Sequence, residues 1–177
     1  MLAGLGLVVS GIAGWALLSD AQARYASRPT DFTAIPAKVS FRAPALTLES
    51  LDGGQHSLAD YAGQVALVNL WATWCPPCEA EMPVFQLFHE KHRSEGFTII
   101  AVNDGESEAD VRAFVAEYGL TFPVWLDPTY EATDRAFKAP NLPTSYVIDR
   151  GGTVRLMWIG AISEANLEKY VTSLIKE

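Results

Sequence analysis

The sequence predicts an α/β domain in which a βαβ unit leads through a helical connection into a ββα unit, around a central mixed sheet with helices on both faces. Three observations predict it. First, short apolar runs at 65–71 and 97–102 flank a segment of helical period from 75 to about 92. Strands joined by a crossover of that length run parallel, and parallel strands are covered on both sides. Second, after Ser107-Glu108-Ala109-Asp110, which resembles a capping box, Val111, Phe114, Val115 and Tyr118 recur at i, i+3, i+4 and i+7 until Gly119 ends the pattern. Third, the runs at 145–148 and 153–158 flank Asp149-Arg150-Gly151-Gly152, a hairpin signal, and Leu167, Val171, Leu174 and Ile175 outline a final amphipathic helix.

Ahead of this domain the chain changes character. Residues 1–18 carry no charged side chain, and at ~1.5 Å per residue they nearly cover a bilayer core. This predicts export, with residues 1–19 as a membrane anchor. A cleaved signal is the alternative, because Ala21-Gln22-Ala23 has the small-x-small form of a signal-peptidase site. Arg24 and Arg28 follow the apolar run and none precedes it, which runs against the usual positive-inside orientation. Residues 20–42 mix Pro29, Pro36, Ser and Thr without a period and read as a tether, leaving 43–177 as the folded domain.

A chain of 177 residues, 49% hydrophobic and 19% charged, suffices for one ordinary core. Thirteen Lys and Arg against twenty-one Asp and Glu leave a net charge of -8, which excludes the cationic field a general nucleic-acid binder needs. Two cysteines are too few for a disulfide-stapled scaffold but enough for one redox couple.

That couple is Cys75 and Cys78, within Trp74-Cys75-Pro76-Pro77-Cys78, where an apolar strand turns into a helix. A thiol at a helix N-terminus faces unpaired N–H groups and the positive end of the helix dipole, which stabilise its thiolate. Cys75 is therefore the expected accessible nucleophile. Cys78, one turn further in and shielded, is placed to attack a mixed disulfide and release the reduced partner. Prolines are tolerated here because the first turn has no intrahelical N–H bonds to lose.

Cys-Pro-Pro-Cys after a strand, with Leu142-Pro143-Thr144 before a later strand, resembles the thioredoxin fold, and more closely the exported TlpA/ResA-like thiol-disulfide oxidoreductases. The residues that carry the likeness are the segment from Val68-Asn69-Leu70-Trp71 through Cys78, then Glu81-Met82-Pro83, Tyr118-Gly119, Phe122-Pro123, Leu126-Asp127 and Pro143-Thr144. The resemblance implies a cis bond before Pro143, beside the active site, with Trp74, Pro76, Pro77, Leu142, Pro143 and Thr144 facing the client. It implies a helix-kinking role for Pro83. It also implies that Glu81 takes the proton of Cys78, since Asn69 stands where cytosolic thioredoxin has a buried Asp and cannot accept one. The function implied is reduction of disulfides in exported proteins, apocytochrome c among them, with electrons from a membrane thiol carrier. No cofactor or metal is expected.

Other readings compete. Cys75, Cys78, His89 and His92 loosely imitate a zinc set, but eleven helical residues separate Cys78 from His89 by ~16 Å. A static disulfide would close too short a loop to stabilise much. Glu81 could be a solvated helix carboxylate like Glu79, and Asn69 a hydrogen-bonded buried amide. Trp71 and Trp74 read as packing residues, Trp74 at the rim, and His56 as a turn residue. Peroxiredoxins share the fold, yet their nucleophile usually follows Thr by three positions, with Pro further upstream. Here Thr73 is two before Cys75, and Val68 is not Pro. From a different class, the domain could be a redox-silent binding module or a copper-site thiol partner.

Overall fold

A computed structural model describes residues 35–177, and the leader, the possible cleavage site, Arg24, Arg28 and most of the tether lie outside the described residues. At its centre is β4 (Val65–Trp71), seven apolar or amide residues that are all buried. Its parallel neighbour is β5 (Phe97–Asp104), followed in space by β6 (Val124–Asp127), also parallel. On the other side β7 (Thr144–Ile148) and β8 (Thr153–Ile159) run antiparallel. The edges are β1 (Ala37–Arg42) on β8, and a hairpin of β2 (Thr47–Ser50) and β3 (Gln55–Ser57) on β6. The sheet order is β1-β8-β7-β4-β5-β6-β2-β3.

Three longer helical elements cover the sheet: α1 (Pro76–His92), α2 (Glu108–Tyr118), and a C-terminal segment built from Glu164–Asn166, a π-helical stretch Leu167–Val171 and Thr172–Ile175. The sequence predicts helices on both faces; the structure packs these three on one and leaves two short helical turns to the other. Alternation along β4 shows this. Val65, Leu67 and Trp71 share a core with Met82, Phe85, Val111, Phe114, Leu167 and Val171. Ala66, Val68 and Leu70 point the other way, into a core with Trp125, Ala132, Phe137 and Tyr146. That second face is closed by a 3₁₀ turn at Leu58–Tyr61 and a π-helical turn at Glu131–Ala136. The reason is topological: β4, β5 and β6 advance in one direction, so two right-handed crossovers put α1 and α2 on the same side.

Local signals hold at most boundaries. Ser107 caps α2, its Oγ accepting from Asp110 N at 3.3 Å, and Gly119 ends it at φ 61°. The cap differs from a full box because the Asp110 carboxylate accepts from the Ser107 hydroxyl. Asp149 shapes the hairpin turn by accepting from Gly151 N and Thr153 N. Three expectations need correction. Residues 37–42, inside the stretch read as a tether, form an edge strand, because β8 offers an unpaired edge that no local pattern reveals. The connection read as helical also contains β6, four residues long and too short for a period. His56 is not in a turn but in β3, opposite Leu48. Among the described residues no helix is long and apolar enough to cross a membrane.

Candidate active site

At the C-terminal end of β4 the chain passes through Ala72-Thr73-Trp74 into α1, whose N-cap is Cys75. Cys75 and Cys78 are joined as a disulfide with Cα atoms 5.2 Å apart. The Cys75 sulfur accepts from Cys78 N at 3.3 Å, so a sulfur occupies the place where a capping oxygen usually sits. Pro76 and Pro77 occupy the first turn, where a missing N–H costs nothing. In the dithiol form the same N–H and the positive end of a 17-residue helix favour a thiolate on Cys75. Cys75 is 4% exposed and Cys78 wholly buried. In this disulfide form the Cys75 sulfur lies against the first helical turn.

One turn beyond Cys78, Glu81 is buried without any solvent contact. Odd-numbered residues of β4 face α1, so Asn69 points at it and donates from Nδ2 to Glu81 Oε1 at 2.8 Å. The same amide donates to Ser145 Oγ, on the paired residue of β7, at 2.9 Å. Ile162 N donates to Glu81 Oε2 at 3.1 Å. Burial pushes the Glu81 carboxyl up to about 8, while these two hydrogen bonds pull the other way without cancelling it. The carboxyl therefore titrates near neutrality, where it can hold or release a proton. This excludes the solvated alternative. Glu79 is the surface residue of the pair, with its carboxylate taking a short hydrogen bond from the Tyr118 hydroxyl.

Leu142–Pro143 is cis. Thr144 pairs with Leu70, so the bond lies at the sheet end that carries the cysteines. Leu142 is half-buried, and the Pro143 carbonyl accepts from Gly160 N at 2.8 Å. Pro143 and Thr144 correct an expectation: both are buried, and the Thr144 hydroxyl donates to Asn141 O, so it fixes the turn and offers no client surface. Trp71 is core, whereas Trp74 is 66% exposed and Pro76 is exposed, with Pro77 between. Pro83 stands inside α1 without ending it. The histidines of the zinc alternative have other surroundings: His89 lies edge-on to Phe122, and His92 sits between Glu95 and Glu168.

A residue the sequence reading missed is Glu106. Its carboxylate accepts from Thr73 N at 2.7 Å, Thr73 Oγ1 at 2.5 Å and Asn103 Nδ2 at 2.7 Å, tying the turn after β5 to the loop that enters Trp74-Cys75. The available signal was position, since an acidic residue in the turn at the C-terminal end of a parallel strand lies where α/β sites gather.

Comparison with known proteins agrees with this geometry. Residues 39–157 match the AhpC/TSA family. The chain is 35% identical to the thiol-disulfide oxidoreductase ResA of Geobacillus thermodenitrificans over 85% of this chain and 84% of that one. For ResA of Bacillus subtilis the identity is 37%, over 76% of this chain and 74% of that one. Among solved structures, a thiol:disulfide interchange protein of the thioredoxin family from Chlorobium tepidum superposes with a TM-score of 0.71 at 30% identity, covering 78% of this chain and 99% of that one. With the redox pair at the helix N-terminus and these relatives across the folded region, the chain belongs to the AhpC/TSA family and, within it, to the ResA-like thiol-disulfide oxidoreductases of thioredoxin fold.

Proposed function

We propose that this oxidoreductase works outside the cytoplasm as a reductase of disulfides in exported proteins, apocytochrome c among them. The observation that carries the mechanism is the buried Glu81, one helical turn from Cys78, its carboxyl pushed up to about 8. In the dithiol state the Cys75 thiolate attacks one sulfur of a client disulfide. A Cys75–client bond forms as the client S–S bond breaks, and the second client sulfur leaves as a thiolate. Cys78 then gives its proton to Glu81 and attacks the Cys75 sulfur, which releases the client's other thiolate and leaves the Cys75–Cys78 disulfide. The client has gained two electrons and the enzyme has lost two. A dithiol donor at the membrane restores them by the reverse exchange. Leu142 beside the cis Pro143, with Trp74, Pro76 and Pro77, forms the client edge. The apolar residues 1–18 hold the domain to the membrane or direct its export.

Trapping tests this reading. A Cys78→Ala chain expressed in its native host cannot resolve the mixed disulfide on Cys75, so exported cysteine proteins should accumulate on it and be released by dithiothreitol. Recovery of cytoplasmic proteins alone would overturn the location, and absence of any Cys75-dependent adduct would overturn the client class.

A further inference from the structure

The π-helical turn Glu131–Ala136 closes the second core, and non-glycine residues in the left-handed region stand on both sides of it: Tyr130 at φ 58° and Lys138 at φ 52°. Tyr130 is the more demanding case. A bulky residue there costs about 1–2 kcal/mol that glycine would not. The turn itself does not require the ring, because Asp127 caps it by accepting from the N–H groups of Glu131, Ala132 and Thr133. Nor is the ring core: the residue stays 44% exposed. It lies across Gly105, where an added Cβ would overlap the phenol, with ring carbon Cε1 2.7 Å away. Gly105 directly precedes Glu106, whose carboxylate holds Thr73, two residues before Cys75.

Exposed apolar side chains gather at this end of the sheet. Among the described residues the large exposed ones are Ile35, Phe41, Trp74, Leu87, Tyr130 and Ile159. Trp74 adjoins Cys75, Ile159 pairs with Thr144 next to the cis proline, and Tyr130 follows β6 beside the Glu106 turn. All three therefore rim the end that carries the disulfide, while Phe41 and Leu87 sit on an edge strand and on α1. Asp104, Glu106 and Asp134 stand around the same end, so the surface is apolar within an acidic surround.

We propose that Tyr130 is a specificity-determining residue, forming a wall on which the client's apolar side chain next to its disulfide cysteine packs, within a client segment of neutral or basic charge. This rests on the thiol–disulfide exchange assigned above and adds the contact that selects the client. Burying one such side chain against the phenol accounts for roughly a tenfold preference.

Substitution can separate the ring from the fold. Tyr130→Gly suits the left-handed backbone and so keeps the turn, and Tyr130→Phe keeps the ring. The probes are two cystine peptides of equal length and net positive charge, one with Leu and one with Ser beside each cysteine, and hydroxyethyl disulfide, which has no side chain to pack. The expected result is a KM for the Leu peptide raised about tenfold in Tyr130→Gly and restored in Tyr130→Phe, with the Ser peptide and hydroxyethyl disulfide within twofold of wild type. Equal KM values for the Leu peptide in wild type and Tyr130→Gly would overturn the proposal. A parallel loss on all three substrates would also overturn it, assigning Tyr130 to support of the Gly105 turn. If wild type reduces hydroxyethyl disulfide but prefers neither peptide, the selectivity falls while the oxidoreductase reading stands. If wild type reduces none of the three, both fall.

Discussion

Two glutamates on opposite sides of the redox pair show how placement divides one chemistry into two jobs. Glu81 lies beneath it, in a pocket made by α1, β4 and the Ile162 backbone, with one hydrogen bond to each oxygen and no water contact. Glu106 lies at the rim, half-buried, and gathers three N–H or O–H donors from Thr73 and Asn103. Below, burial outweighs the donors and the carboxyl is pushed up to about 8. At the rim, the donors make the carboxylate a clamp for the loop that positions Cys75. Burial with few donors raises a carboxyl's hold on its proton, and several donors at a half-buried site tie a loop in place.

The sharpest way to break this contrast is Glu81→Gln, which keeps the shape and removes the titration. Steady-state disulfide reduction at pH 7 should fall about a hundredfold, at the lower end of general acid–base effects. The loss should hold up to about pH 8, while Glu81 is still gaining its carboxylate, and narrow above that as Cys78 ionises without help. Glu79→Gln, which alters a surface contact with Tyr118, should change the rate less than twofold at every pH. Equal effects of the two variants would remove Glu81 from the proton path.

Stability gives the next largest effect, a few kcal/mol. Because the folded Glu81 carboxyl titrates at about 8 and the ordinary value is 4.5, the native state retains a proton in that window that the unfolded chain has released. The sign follows: wild type loses stability as pH rises from about 4.5 to 8, and the charged form is disfavoured in full above that. Urea unfolding across pH 5–8.5 should show this decline in wild type and a much flatter profile in Glu81→Gln. A parallel decline in both would place the titration elsewhere.

The rim gives the smallest effect. Glu106→Ala leaves Thr73 N without its acceptor and should cost about 1–3 kcal/mol locally. Amide exchange at Thr73 and Trp74 should quicken in the reduced protein and turnover should drop several-fold, with the pH profile unshifted. A shifted profile would show that Glu106 shares the proton work and that the division drawn here is wrong.

Much of this is legible in the sequence. The β4–α1–β5 unit, the α2 caps, the β7–β8 hairpin and the cysteine pair all follow from signals contained within about twenty residues: apolar period, a capping Ser, a terminal Gly, a thiol before a helix. The short strands did not follow, because β6 and β1 are strands by virtue of the edges they meet. Pro143 and Thr144 were read as more open than they are, since accessibility belongs to what packs over a residue and not to its neighbours in the chain.

By itself the sequence determined the redox pair and its place at the start of a helix. Cys75 caps the helix through backbone N–H groups that any helix in this position would present, so its role needs no distant partner. Tertiary structure alone decided what surrounds it. Asn69 meets Ser145 across 76 residues, Ile162 N reaches Glu81 across 81, and Glu106 holds Thr73 across 33. The proton affinity of Glu81 depends on how completely those distant elements exclude water, a property of the closed core that no local pattern encodes.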